Sequence, residues 1–81
     1  MNVRLKLFAV AREIVGCDVV DVTLPERATL GQLRQALAAQ VPRLAGVASH
    51  ALFAIGAEYA DDGATISEGA EVACIPPVSG G

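Results

Sequence analysis

Apolar and polar residues alternate along three stretches of this chain, and a period of two is typical of half-buried β-strands. The stretches run from Val3 to Phe8, from Val19 to Leu24 and from Glu71 to Ile75. A short apolar run over 51–55 predicts a further, buried strand, and 58–60 predicts a brief extended piece. The sequence therefore predicts a sheet of five strands, two of them short.

A spacing of three and four residues predicts one main helix. Thr29 and Gln32 have the spacing of a capping box, in which hydroxyl and amide groups satisfy free backbone N–H groups. The predicted inner face then carries Leu30, Leu33, Leu37 and Val41, and the predicted solvent face carries Gln32, Arg34, Gln35 and Gln40. Pro42 limits the length of this helix.

The connections complete a single-domain pattern over residues 1–81. We interpret 9–18 as a connection of hairpin scale in which Gly16 supplies a positive φ. Turns are predicted at 61–63 and 67–69. One helix against one mixed sheet gives a two-layer α+β domain, with the first and last strands as central partners.

Composition and charge exclude several classes of function. The net charge is −3 and the basic residues are scattered, which argues against nucleic acid or an anionic membrane as a partner. No apolar run reaches the roughly 20 residues that span a bilayer, and no signal-peptide pattern opens the chain, so we expect a cytoplasmic protein. Cys17, Cys74 and His50 lack metal-ligand spacing; we predict buried or half-buried thiols, a solvated or capping histidine and no metal site.

The final residues suggest chemistry at the end of the chain. Pro76 and Pro77 end the last strand and favour a stiff, extended lead-in. Val78 and Ser79 follow, and Gly80 and Gly81 then remove every side chain around the last carboxylate. We predict that 76–81 form a protruding tail and that the Gly81 carboxylate is the reactive group.

A second candidate site lies on the sheet. By strand alternation, Phe8 shares a face with Arg4 and Lys6, and Ile75 shares a face with Glu71. If these strands are neighbours, Phe8 and Ile75 form an exposed apolar patch, with Tyr59 beside it and Arg12 at the rim. Exposed apolar patches mark docking surfaces more often than accidents, so we predict that these residues bind a partner protein.

Together these segments resemble a known family. The residues Leu7-Phe8-Ala9, Arg12-Glu13, Gly16, Gly69 and the run from Glu71 to Gly81 resemble the small subunit of molybdopterin synthase, over the whole chain. That family consists of ubiquitin-like β-grasp sulfur carriers. Gly56 and Ala70 depart from its usual asparagine and aspartate, in turns rather than in the tail.

The resemblance implies a non-catalytic subunit whose C-terminus carries sulfur. An adenylating enzyme would use ATP and magnesium to activate Gly81, and a sulfur donor protein would convert it to a thiocarboxylate. The synthase large subunit, in a heterotetramer, would then pass the sulfur to cyclic pyranopterin monophosphate during molybdenum cofactor biosynthesis. No permanently bound cofactor is implied.

Three alternatives remain open from the sequence. The chain could carry sulfur for another pathway, such as thiamine synthesis, or act as a ubiquitin-like modifier joined to lysine through Gly81. It could also be a plain β-grasp interaction domain, since a fold alone does not fix a function.

Overall fold

A computed structural model describes residues 1–77 of the chain. Within that range the strands are β1 (Asn2–Leu7), β2 (Val19–Thr23), β3 (Leu52–Ile55), β4 (Glu58–Ala60) and β5 (Val72–Ile75). The helices are α1 (Ala9–Val15), α2 (Leu30–Gln40) and α3 (Ala45–Ala48), with a 3₁₀ turn at Pro42–Leu44 between α2 and α3.

The strands of this range form one mixed sheet in the order β2-β1-β5-β3-β4. β1 and β5 are parallel neighbours, and the other pairings are antiparallel. The predicted two-layer α+β class and the central pairing of the first and last strands are confirmed. The topology is that of a ubiquitin-like β-grasp domain.

The core lies between the sheet and α2. Every second residue of β1 is buried, and in β5 Val72 and Cys74 are buried while the residues that follow each of them are half-buried. The largest fully buried side chains are Phe53, Leu5, Leu7, Leu30, Leu33, Leu37, Leu44, Ile66, Val22, Val72 and Cys74. Among these side chains Phe53 is the aromatic one, and the predicted inward positions of Val72 and Cys74 are confirmed.

The predicted start of α2 is also confirmed. The Gln32 N–H donates to Thr29 Oγ1 at 3.2 Å, and the Thr29 N–H donates to Gln32 Oε1 at 2.9 Å, which closes the capping box. Gly31 is unfavourable in a helix, but its N–H donates to the Asp62 carbonyl at 2.9 Å. A Cβ at Gly31 would lie 3.3 Å from Asp62 atoms, so the glycine allows this close approach.

The segment 9–18 contains a helix that the sequence did not predict. α1 is seven residues long, has no side-chain cap at its start, and buries Ala11 alone. Such a short helix has too few turns for a recognisable apolar stripe. Gly16 does adopt the predicted positive φ, of 83°, and its N–H donates to the Arg12 carbonyl at 2.7 Å.

Arg34 does not lie on the solvent face of α2, and its predicted position was wrong. Its guanidinium donates to the carbonyls of Ala48 and Ala51, each at 2.7 Å, and pairs with Asp62 at 2.7 Å. It also lies 4.9 Å from the centroid of the Phe53 ring. An arginine can keep its apolar stem against the core while its head binds backbone carbonyls, and this arginine joins α2 to the entry of β3.

Candidate functional site

The face of the sheet opposite α2 is open, and one end of it is apolar. Leu52 pairs with Ile75, and the Phe8 N–H donates to the carbonyl of Cys74 at 3.3 Å, so Phe8, Ile75 and Leu52 lie side by side. In the next row Tyr59 pairs with Ala54, Ala54 with Ala73, and Ala73 with Lys6. We call this the outer face; its large members are Phe8, Leu52, Tyr59 and Ile75, and its central charge is Lys6.

Exposure confirms the faces that alternation predicted. Phe8 is 39% exposed and Tyr59 is 67% exposed, while Ile75 is half-buried. The Lys6 ammonium lies 5.4 Å from the centroid of the Phe8 ring, a cation–π contact worth about 0.5–1 kcal/mol at an exposed site. Phe8 therefore packs against Lys6 at the surface and is not a core residue. The predicted partner-binding role of these residues stays a prediction.

Leu52 belongs to the outer face and was missed from the sequence. It is 55% exposed, whereas the run 51–55 was predicted to be a buried strand. The signal that identifies it is its register opposite Ile75, which is a long-range pairing. Because side chains alternate along a strand, the inward position of Phe53 also predicts that Leu52 faces outward.

Charged residues occupy the opposite end of the outer face and its rim. Arg4 lies directly across from Asp21, which gives this end of β1 a mixed charge. Arg12 lies on α1, where its guanidinium is 3.7 Å from the Asp18 carboxylate and more than half exposed. An exposed pair of this kind contributes little to stability, which leaves Arg12 available to a partner carboxylate.

The outer face leads directly to the predicted tail. β5 ends at Ile75, Pro76 is buried and Pro77 is exposed. This corrects the predicted start of the protruding tail, since Pro76 packs with the domain and belongs to the fold. The remaining predicted tail residues, Val78, Ser79, Gly80 and the reactive Gly81, lie outside the described residues.

The cysteines and the histidine differ in their surroundings. Cys74 is fully buried, as predicted, and burial raises the pKa of its thiol to about 11, partly offset by the nearby Arg34 charge. Cys17 is exposed, so its predicted burial was wrong; it follows the helix-ending Gly16 at the surface. His50 is exposed, as expected of a solvated histidine.

Residues 1–77 contain neither a candidate metal site nor a candidate membrane span. There is no group of three or more His, Cys, Asp or Glu side chains that could hold a metal ion. In the same range no helix is both long enough and apolar enough to cross a bilayer.

The mixed sheet, its covering helix and the open outer face define a ubiquitin-like β-grasp domain. The chain belongs to the ThiS family, whose model matches residues 5–81. The molybdopterin synthase sulfur carrier subunit of Arabidopsis thaliana is 33% identical over 81 residues, which are all of this chain and 84% of that protein.

Two solved structures place the fold among its relatives. The small archaeal modifier protein SAMP1 from Haloferax volcanii is 32% identical with a TM-score of 0.83, and the match covers 100% of both chains. A chain from a complex of subunits 1 and 2 of the molybdopterin-converting factor of Helicobacter pylori matches with a TM-score of 0.68, again over 100% of both chains. That chain is 20% identical, so it supports the fold alone.

Proposed function

We propose that this chain is the sulfur carrier subunit of a molybdopterin synthase. The observation that carries the proposal is its match, over its whole length, to the Arabidopsis sulfur carrier subunit. The Gly81 carboxylate is adenylated, converted to a thiocarboxylate, and donates its sulfur to cyclic pyranopterin monophosphate in molybdenum cofactor biosynthesis. The bare Gly80-Gly81 ending supports this chemistry because no side chain obstructs the approach to the carboxylate.

The chemistry needs an external activating enzyme. A free carboxylate is a poor electrophile because its charge is delocalised and it lacks a good leaving group. An adenylating enzyme supplies AMP as the leaving group, using ATP and magnesium, and a sulfur donor protein then replaces AMP with sulfur. The carrier itself needs no permanently bound cofactor for these steps.

The carrier presents sulfur, and the large subunit performs the catalysis. The apolar end of the outer face, formed by Phe8, Leu52 and Ile75, lies at the root of the tail and supports docking there. A large subunit bound at this face would receive the tail at high effective concentration without release of sulfide. We expect the family's heterotetramer, with one carrier at each end of a large-subunit dimer.

Mass spectrometry of the intact protein tests the proposal. The chain is produced with and without its adenylating enzyme and sulfur donor, and we expect one oxygen at Gly81 to be replaced by sulfur only in their presence. The matched control carries one additional alanine after Gly81, which should prevent activation while leaving the fold unchanged. Efficient thiocarboxylation of this extended chain would contradict the proposal.

The pathway is tested separately with purified components. Thiocarboxylated carrier is mixed with synthase large subunit and cyclic pyranopterin monophosphate, and molybdopterin is measured. A dithiolene contains two sulfurs and each carrier brings one, so we expect two carriers to be consumed per product. A thiocarboxylate that forms but yields no product here would favour another sulfur pathway, such as thiamine synthesis.

Protein modification is the second candidate function. It is favoured by the similarity to SAMP1, whose name describes a modifier and whose fold matches over the whole of both chains. A modifier and a carrier share carboxylate activation and differ in the acceptor, which is a lysine amine for the modifier. Extracts of cells that produce the tagged protein would distinguish this function. They would contain conjugates of higher mass in which Gly81 is joined to a lysine of another protein.

A further inference from the structure

Lys6 is the single lysine of the chain, and it lies at the centre of the outer face. The other primary amine is the α-amino group of Met1, which is partly buried and donates to the carbonyl of Leu24. The Lys6 side chain, in contrast, is exposed. Because aminolysis needs an accessible amine, Lys6 is the side chain at which this chain can accept an acyl group in an amide bond.

The surroundings of Lys6 suit a peptide that has no side chains, such as a Gly-Gly ending. Its neighbours across the sheet are Val19 on β2 and Ala73 on β5, so no carboxylate lies directly opposite the ammonium. Lys6 also lines a shallow groove of about 660 Å³ that extends over Ala54 and Ala73 and has Arg4 and Glu71 among its lining residues. The Lys6 Nζ lies 5.4 Å from the centroid of the Phe8 ring, which places it beside the apolar end of the outer face.

Arg4 provides a contrast on the same strand and face. It is two residues from Lys6, and Asp21 lies directly opposite it in the sheet. A lysine at position 4 would therefore sit beside a carboxylate that stabilises its charged, non-nucleophilic form. Position 6 has an apolar neighbour in the equivalent place.

We propose that Lys6 is an acceptor site for the activated glycyl C-terminus of a second copy of this chain, and that this linkage and partner docking exclude each other. The proposal rests on the proposed function, because adenylation supplies the electrophile. The Lys6 amine attacks the Gly81 acyl-adenylate of the second copy, a C–N bond forms, the C–O bond to AMP breaks, and AMP and one proton leave. No oxidant or reductant is needed.

The position of Lys6 makes this linkage regulatory. A partner docked on the outer face covers Lys6 and protects it, whereas an undocked carrier presents it to activated tails. Once linked, the second copy lies over Phe8 and its neighbours and blocks docking. Carrier activated in excess of its partner would thus be removed from the pool that accepts partners.

The test incubates the purified chain with its adenylating enzyme, ATP and magnesium, without a sulfur donor. Covalent dimer is measured on denaturing gels, the linked peptides are mapped, and ATP–pyrophosphate exchange is recorded in the same reaction. We expect a dimer linked through Gly81 and Lys6. The Lys6→Arg variant should lose at least 90% of the dimer, relative to its own exchange rate.

A matched variant moves the lysine along the strand. Lys6→Arg combined with Arg4→Lys keeps the composition and net charge, and we expect dimer formation at least fivefold slower than in the original chain. Equal rates, or linkage at Met1, would overturn the assignment to Lys6. Exchange without any dimer overturns the linkage and leaves the proposed function intact, whereas absence of exchange overturns both.

Exclusion is measured on the purified linked dimer. We expect its Lys6-modified copy to lose binding to the synthase large subunit by at least tenfold relative to the unlinked chain. Prior addition of the large subunit should slow dimer formation by a similar factor. Undiminished binding of the modified copy would overturn the regulatory part of the proposal.

Discussion

Phe8 contributes to a surface more than to the core. It directly follows β1, lies beside Lys6 and Ile75, and leaves 39% of its surface in water. Ala9, directly after it, has a φ of +51°, and this left-handed residue turns the chain into α1. The backbone therefore leaves Phe8 at the edge of the outer face, where an apolar ring can anchor a partner.

Replacing Phe8 by aspartate should separate docking from folding. We expect Phe8→Asp to weaken binding to the large subunit by about 2 kcal/mol, or roughly 30-fold, because an apolar anchor becomes a charge at the interface. Calorimetric titration measures the affinity, and Gln35→Asp on the exposed side of α2 is the control. A large loss of thermal stability with unchanged affinity would show that Phe8 acts as a core residue.

Leu52 tests the part of the outer face that the sequence did not reveal. Because it is 55% exposed and pairs with Ile75, Leu52→Asp should weaken the same interaction by about 1–2 kcal/mol. The free energy of unfolding should change by less than that amount. If affinity for the large subunit is unaffected, the interface ends at Ile75 and does not reach β3.

Cys74 makes stability depend on pH at alkaline values. Burial raises the pKa of its thiol from 9.0 to about 11, so the unfolded chain releases this proton at a lower pH than the folded chain does. The stabilisation is complete below pH 9 and is lost as the pH rises towards 11. Urea unfolding should show a steeper decline for the original chain than for Cys74→Val over this range, with exposed Cys17→Ser as the control; parallel declines would contradict the assignment.

At the scale of elements, the β3–β4 hairpin carries a removable strain. Gly56 and Ala57 form its turn with φ values of +57° and +69°, so both residues are left-handed. Glycine tolerates this conformation and alanine does not, and the most favourable two-residue turns have glycine second. The departure from the family's asparagine at Gly56 therefore fits the turn, and the strained residue is its neighbour.

Ala57→Gly should stabilise the domain. Relief of the left-handed strain is expected to outweigh the added freedom of the unfolded chain, for a net gain of about 0.5–1 kcal/mol. Chemical denaturation measures this gain. Ala39→Gly, at an exposed position of α2, is the matched control and should lose about 1 kcal/mol. Destabilisation by Ala57→Gly would show that the turn is not strained in solution.

The elements also show which features the sequence could predict. α2 was predictable because its capping box and leucine spacing are local signals. α1 was not, because seven residues with one buried alanine carry little periodicity. Arg34 looked like a solvent-facing residue because its partners Ala48, Ala51 and Asp62 lie far away along the sequence, which no local pattern reveals.

At the scale of the whole molecule, the parallel pairing of β1 and β5 relates the two parts of the candidate site. It places Phe8, at the end of β1, beside Ile75, at the end of β5, so the apolar anchor lies at the root of the tail. Alternation predicted each residue's face, and the assumption that the first and last strands are neighbours brought the residues together. Leu52 stayed hidden because its place depends on the register of a third strand.

Two truncations should locate the boundary between fold and tail. A chain ending at Pro77 keeps every buried residue of the described range, so we expect unchanged thermal stability together with complete loss of adenylation. A chain ending at Ile75 also loses buried Pro76, and should be less stable by about 1–2 kcal/mol, which lowers the melting temperature by several degrees. Circular dichroism and ATP–pyrophosphate exchange measure the two properties on the same samples.

Because the chain ending at Pro77 retains the whole outer face, it should still compete with the intact carrier for the large subunit. Unfolding of that chain, or its continued adenylation, would contradict the division of this molecule into a docking domain and a reactive tail.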